Sequence, residues 1–191
     1  MAGAAAVRAA IDLVHVPSRV RLFRAEPLPE GIETVLRVAA GDEAAETAAA
    51  AAVGRPRDLV RKAAAFYIEQ ILLCPDADSY RVLGADERAT AAELRRNMAL
   101  LLKWLHPDMD RQGIRSLFAG RVTQAWETLK TPERRAAYDL ERSLRKAGRS
   151  RRHRGARSKH SVHATGPHLN GWRHGPKGLL RRAMWLLLGG H

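Results

Sequence analysis

Apolar positions recur at helical spacing through most of the first 140 residues, with no alternating run of the kind a half-buried strand requires. The clearest series is Leu94, Met98, Leu101 and Leu105, at steps of four, three and four, which predicts a helix with one apolar face. Thr90 stands three residues ahead of Glu93, a capping box for its start. Pro107 disfavours helical backbone in the residue before it, so the helix should stop near Leu105. Phe118, Val122, Ala125, Trp126 and Leu129 repeat the spacing. Two amphipathic helices joined by a loop of about ten residues should pack antiparallel. Upstream, residues 78–84 read as a short helix closed by Gly84 in a left-handed cap. Downstream, Thr131 followed by Pro132 opens another helix through Asp139.

The amino-terminal third is less regular. Pro17, Pro27 and Pro29 break any long helix, leaving residues 1–25 ambiguous. Residues 29–40 predict one helix ended by Gly41, and residues 42–53 an alanine-rich helix with high propensity and little bulk to bury. A third helix begins at Pro56, with Leu59, Val60, Ala63, Phe66, Tyr67, Ile71 and Leu72 forming a broad stripe that requires cover. The bland account is a small helical bundle stacked on the segment that follows; the sharper one is a client-selecting or membrane-associated adaptor. His15 is isolated and reads as structural or incidental.

With 191 residues there is room for one or two small domains, and every recognisable element is helical, so the fold class is all-α. The net charge of +13 is uneven. Residues 141–191 carry 13 Lys and Arg against Glu141 alone, whereas the first 140 hold 20 basic and 19 acidic groups. Residues 143–168 are mostly Arg, Lys, Ser, Gly and His, a composition expected to be disordered. The run Arg149, Arg151, Arg152, Arg154 and Arg157 suits nucleic acid, an anionic membrane surface, or plain solvation. Residues 178–188 are apolar apart from Arg181 and Arg182; as a helix they would be about 15 Å long, half a bilayer core. Such a segment cannot span. Docking on the chain's own apolar faces or in a partner groove, lying on a membrane surface, and remaining unfolded all stay open for it.

Cys74 is the only cysteine, which excludes an intrachain disulfide, and it reads as a buried thiol. The histidines at 153, 160, 163, 168, 174 and 191 lack the spacing of a metal site, and no cofactor is expected. No nucleophile–base pair, phosphate loop or metal cluster argues for an enzyme. The start lacks a basic lead with a clean apolar core, and no stretch reaches the roughly 18 apolar residues of a spanning helix. The expected location is cytoplasmic, with peripheral membrane association as the corollary of the membrane reading of the tail.

Residues 77–142 resemble the J-domain, the shared module of DnaJ-type co-chaperones. The matching residues are Tyr80, Leu83 and Gly84, then Glu93, Leu94, Arg95 and Arg96, then His106, Pro107 and Asp108. Phe118 through Ala125, Trp126, Glu127 and Leu129 follow, and Arg134, Arg135, Ala136, Ala137, Tyr138 and Asp139 complete the order. The resemblance implies a J-domain helical hairpin with short flanking helices, preceded by a helical region at 1–76 and followed by a mostly disordered basic tail at 143–191. It also implies a co-chaperone that docks on the ATP-bound form of a 70-kDa heat-shock chaperone of DnaK type. That docking would stimulate ATP hydrolysis and promote capture of a client, whose identity the sequence does not reveal. His106 would be a hydrogen-bonding partner, Asp108 an ion-pairing acceptor, and Pro107 a restraint on the turn. Arg95, Arg96 and Lys103 would contribute to docking. Without zinc-binding repeats or a Gly/Phe linker, the chain resembles the class in which only the J-domain is shared.

One departure stands out. The family's second helix is usually strongly basic on its exposed face, yet Ala99 and Leu100 occupy positions often held by Lys or Arg. Leu100, Leu102 and Trp104 either form an apolar surface stripe that replaces some of the charge or pack against another part of the chain. Electrostatic steering should be weaker than usual. The competing function is a scaffold associated with nucleic acid or a membrane surface through residues 142–191, in which the J-fold is silent.

Overall fold

The computed structural model describes residues 3–106 and 116–158, with backbone alone at 116, 117, 146 and 149–158. Two compact units are present, Met1–Ala147 and Gly148–His191. All the regular elements among the described residues are helical, with no strand.

In the first unit, α1 (Gly3–His15) buries Ala6, Val7, Ala10, Ile11 and Leu13, leaving Arg8 and Asp12 outside. Pro17 then opens a single 3-10 turn, and α2 (Val20–Ala25) follows. In α3 (Ile32–Ala39), Ile32, Val35, Leu36, Val38 and Ala39 are buried, and Gly41 closes the helix at φ 77°. The α4 helix (Glu43–Val53) starts where the Asp42 carboxylate accepts the Ala45 N–H at 2.9 Å. Next comes α5 (Arg57–Tyr67), which passes into a π-turn at Ile68–Leu72. Small alanines on α1, α4 and α5 let these helices approach closely, and α1 packs on α3, α4 and α5. Together α1, α3, α4 and α5 form a small helical bundle.

The remaining helices are α6 (Ser79–Val82), α7 (Ala91–Trp104), α8 (Ser116–Leu129) and α9 (Pro132–Ser158). α7 and α8 pack on each other, and α6 lies on α8. A single apolar cluster joins them to the amino-terminal helices: Leu36, Tyr67, Ile71 and Leu72 share it with Tyr80, Leu83, Leu101 and Trp104. Cys74 is buried, as expected.

Two departures from expectation are physical. Residues 3–15 form a helix whose buried face includes Ala6 and Ala10, too small to mark a pattern, and residues 20–25 form a short second helix with no buried residue. The last helix runs on to Ser158, through residues whose composition predicted disorder. Leu144, Arg145 and Ala147 are good helix formers, and adding residues to an existing helix costs far less than nucleating one. Residues 159–191, including the apolar segment at 178–188, lie outside the described residues. No helix among those described is long and apolar enough to cross a membrane.

Candidate functional site

The site grows from α7. Thr90 Oγ1 accepts the Glu93 N–H at 3.2 Å, while Glu93 Oε2 accepts the Thr90 N–H at 2.6 Å, so the capping box is complete. The Thr90 backbone N–H, followed by its hydroxyl, holds the Glu93 carboxyl below the usual range. At the other end the Leu105 N–H reaches the Leu101 carbonyl at 2.9 Å, and the His106 N–H reaches Lys103 at 3.3 Å. The helix stops where Pro107 predicts. His106 is thus an exposed imidazole at the carboxyl end of a fixed helix; Pro107 and Asp108 lie outside the described residues.

Leu94, Asn97, Leu101 and Trp104 form the inner face of α7. Trp104 is only 1% exposed, while Leu100 and Leu102 are half-buried against the core, so the apolar stripe packs within the chain. Asn97 is the buried polar exception. Its side-chain amide donates to the carbonyls of Leu83 at 3.0 Å and Gly84 at 3.3 Å, tying α7 to the end of α6. The signal for it was an Asn at a helical step from Leu94 and Leu101, on the apolar side.

On the outer face, Arg95, Arg96 and Lys103 are exposed beside Ala99. The Arg95 guanidinium sits 5.9 Å from the centre of the Trp126 ring on α8. Arg96 pairs with Glu33 of α3 at 3.4 Å. Arg95 and Arg96 border a shallow groove whose lining includes Ala99, Trp126 and Lys130. Lys103 does not line it, so the three cations share a face but do not converge on one point.

A belt of polar contacts holds the flanking helices. Tyr80 donates to Asp139 at 2.8 Å and accepts from Arg135 at 2.9 Å. Arg135 also reaches the carbonyls of Ala89 and Glu87, each at 2.7 Å. Arg142 pairs with Asp78 at 2.8 Å. On α8, Arg121 donates to the carbonyls of Leu73 and Cys74, a contact that no sequence pattern announced because its acceptors are backbone atoms. Among the described residues no group of His, Cys, Asp and Glu is placed to hold a metal ion.

Residues 78–139, which carry a short capped helix, two packed amphipathic helices with an exposed His at the end of the first, and a closing helix bearing Arg135, Tyr138 and Asp139, match the family model of the DnaJ domain. The chain is 34% identical over 62 residues to the chaperone protein DnaJ of Listeria monocytogenes serotype 4b, a match covering 32% of this chain and 16% of that one. Human DnaJ homolog subfamily C member 16 is 36% identical over 73 residues, 38% of this chain and 9% of the relative. The curved DNA-binding protein of Coxiella burnetii is 36% identical over 62 residues, 32% of this chain and 20% of the relative. The match therefore spans a small part of each relative's length. No solved structure gives a significant match.

Proposed function

We propose that the chain is a co-chaperone, not itself an enzyme, that stimulates ATP hydrolysis by a DnaK-type 70-kDa chaperone and so promotes client capture. The observation that carries this reading is the exposed His106, set at the end of α7 by the Leu105 cap, in a DnaJ domain whose sequence continues Pro107-Asp108. His106, Pro107 and Asp108 deliver the stimulus, and Arg95, Arg96 and Lys103 make the docking contacts. Residues 77–142 act on the chaperone, residues 1–76 support them, and residues 143–191 supply a separate basic arm.

Single-turnover ATP hydrolysis by the chaperone of the same organism tests this. Intact protein should accelerate it and His106→Gln should not. Equal rates with both folded proteins would sink the reading.

A second reading has its own support. Arg145, Arg149 and Arg152 follow one another at steps of four and three along α9, within a basic arm that would suit nucleic acid or an anionic membrane. Deleting residues 143–191 separates the two activities: lost retention on DNA, RNA or anionic vesicles with full ATPase stimulation would show both at work.

A further inference from the structure

We propose that Glu33 is a built-in competitor for the docking helix, an internal carboxylate that occupies Arg96 and lowers the charge the DnaJ domain offers its chaperone. The inference rests on the co-chaperone reading and names a regulation of that same face. Its basis is how α3 is seated. Gly84 has φ 61°, and a Cβ there would lie 2.9 Å from the Ile32 side chain and 3.3 Å from that of Leu36. Only a glycine lets α3 come this near the end of α6, to which the Asn97 side chain ties α7. Ile32 and Leu36 are buried at that seat, and Glu33, the residue between them on the outer side, is carried to Arg96.

The pair is 3.4 Å apart with side chains 51% and 41% exposed, so water screens it and it opens readily. A partner's acidic surface must displace Glu33 to use Arg96. With alanine at position 99 and the Arg95 guanidinium over Trp126, loss of one more cation weakens long-range attraction. Glu33 thereby makes recognition less salt-sensitive and more dependent on fit at the turn bearing His106.

The test is full-length protein titrated against the chaperone in single-turnover ATP hydrolysis, at low and at physiological salt. The proteins are the parent, Glu33→Gln, Glu33→Asp, Arg96→Gln and Glu33→Gln/Arg96→Gln. The concentration for half-maximal stimulation should fall about two- to fivefold in Glu33→Gln at low salt, with less change at physiological salt. Glu33→Asp should lie near the parent, and Glu33→Gln should have no further effect once Arg96 is gone. A merely structural role for Glu33 would weaken stimulation and persist in the Arg96→Gln background, which would overturn the proposal. So would an unchanged half-maximal concentration. His106→Gln runs alongside: if the parent is as inert as that variant, the co-chaperone reading has failed, whereas a parent that stimulates while Glu33→Gln matches it fails this inference alone.

Discussion

The Tyr80 hydroxyl donates to the Asp139 carboxylate at 2.8 Å, joining two helices whose ends are far apart in the chain. Tyr80 is 1% exposed, and its oxygen also accepts from Arg135. Burial first, then the bond to Asp139, pushes its phenol above the ordinary value. Burial likewise raises Tyr67 from 10.0 to about 12. A phenol with a raised folded pKa contributes stability that is complete below the unfolded value and lost as pH climbs past it. Urea unfolding should therefore show a stability plateau below pH 10 and a decline towards pH 12. Tyr80→Phe should cost about 1–2 kcal/mol at neutral pH and make that decline shallower. An unchanged midpoint would mean that the bond is matched by water in the unfolded chain.

Gly84 is the point of closest fit between α3 and the end of α6. Alanine there must hold φ near 61° and displace Ile32, so Gly84→Ala should lose about 1–3 kcal/mol. The same substitution at Gly54, where φ is 63° but nothing lies within 4 Å, should lose less. Thermal melts of the two variants separate backbone strain from packing; equal losses would put the whole effect in the backbone.

What could be read in advance was what local chemistry dictates. Thr90 with Glu93, Leu105 before His106-Pro107, and Gly84 after Leu83 each carry their own boundary, and each boundary stands where expected. The inner face of α7 was legible for the same reason, down to Leu94 and Leu101. Illegible were contacts that depend on distant backbone. Ala6 and Ala10 are buried because α3, α4 and α5 pack on α1, and their side chains are too small to mark a face. Glu46 sits in an alanine run and looks like a solvent-facing helix former, yet it is 2% exposed. Glu33 gave no sign of meeting Arg96, since that pairing follows from Ile32 and Leu36 seating on Gly84.

Glu46 supplies an acid-side prediction. Its carboxylate takes hydrogen bonds from Arg61 at 2.7 Å and Arg57 at 3.2 Å, linking α4 to α5. The bond from Arg61, chief among these, holds its pKa below the ordinary 4.5. A depressed carboxyl contributes stability that is present above its unfolded pKa and lost as pH falls through the folded one. Glu46→Gln should cost about 1–2 kcal/mol at pH 7, at the low end for charged hydrogen bonds because both guanidinium groups are half in water. The gap between parent and variant should close progressively below pH 4.5, since a protonated Glu46 resembles Gln. Denaturant midpoints from pH 7 to pH 3 measure it, and a gap that stayed constant would show that packing, not charge, holds Glu46.

Arg121 ties the amino-terminal helices to the DnaJ domain. From α8 it donates to Leu73, to Cys74 at 2.6 Å and to Pro75 at 3.3 Å, carbonyls left over where the π-turn ends. A helix end has carbonyls with no partner in the helix, and here a side chain from another helix satisfies them. Glutamine is shorter and uncharged, so Arg121→Gln should leave at least one of them unpaired, at about 1–3 kcal/mol. The loss should be local. Amide exchange at Leu73 and Ala77, whose N–H groups reach Ile68 and Cys74, should speed up most. Leu101 and Leu105, deep in the α7 packing, should keep their protection. Equal acceleration at all four would mean that the first unit opens as one cooperative body, with Arg121 supporting all of it; unchanged exchange at Leu73 and Ala77 would show that the clamp contributes nothing there.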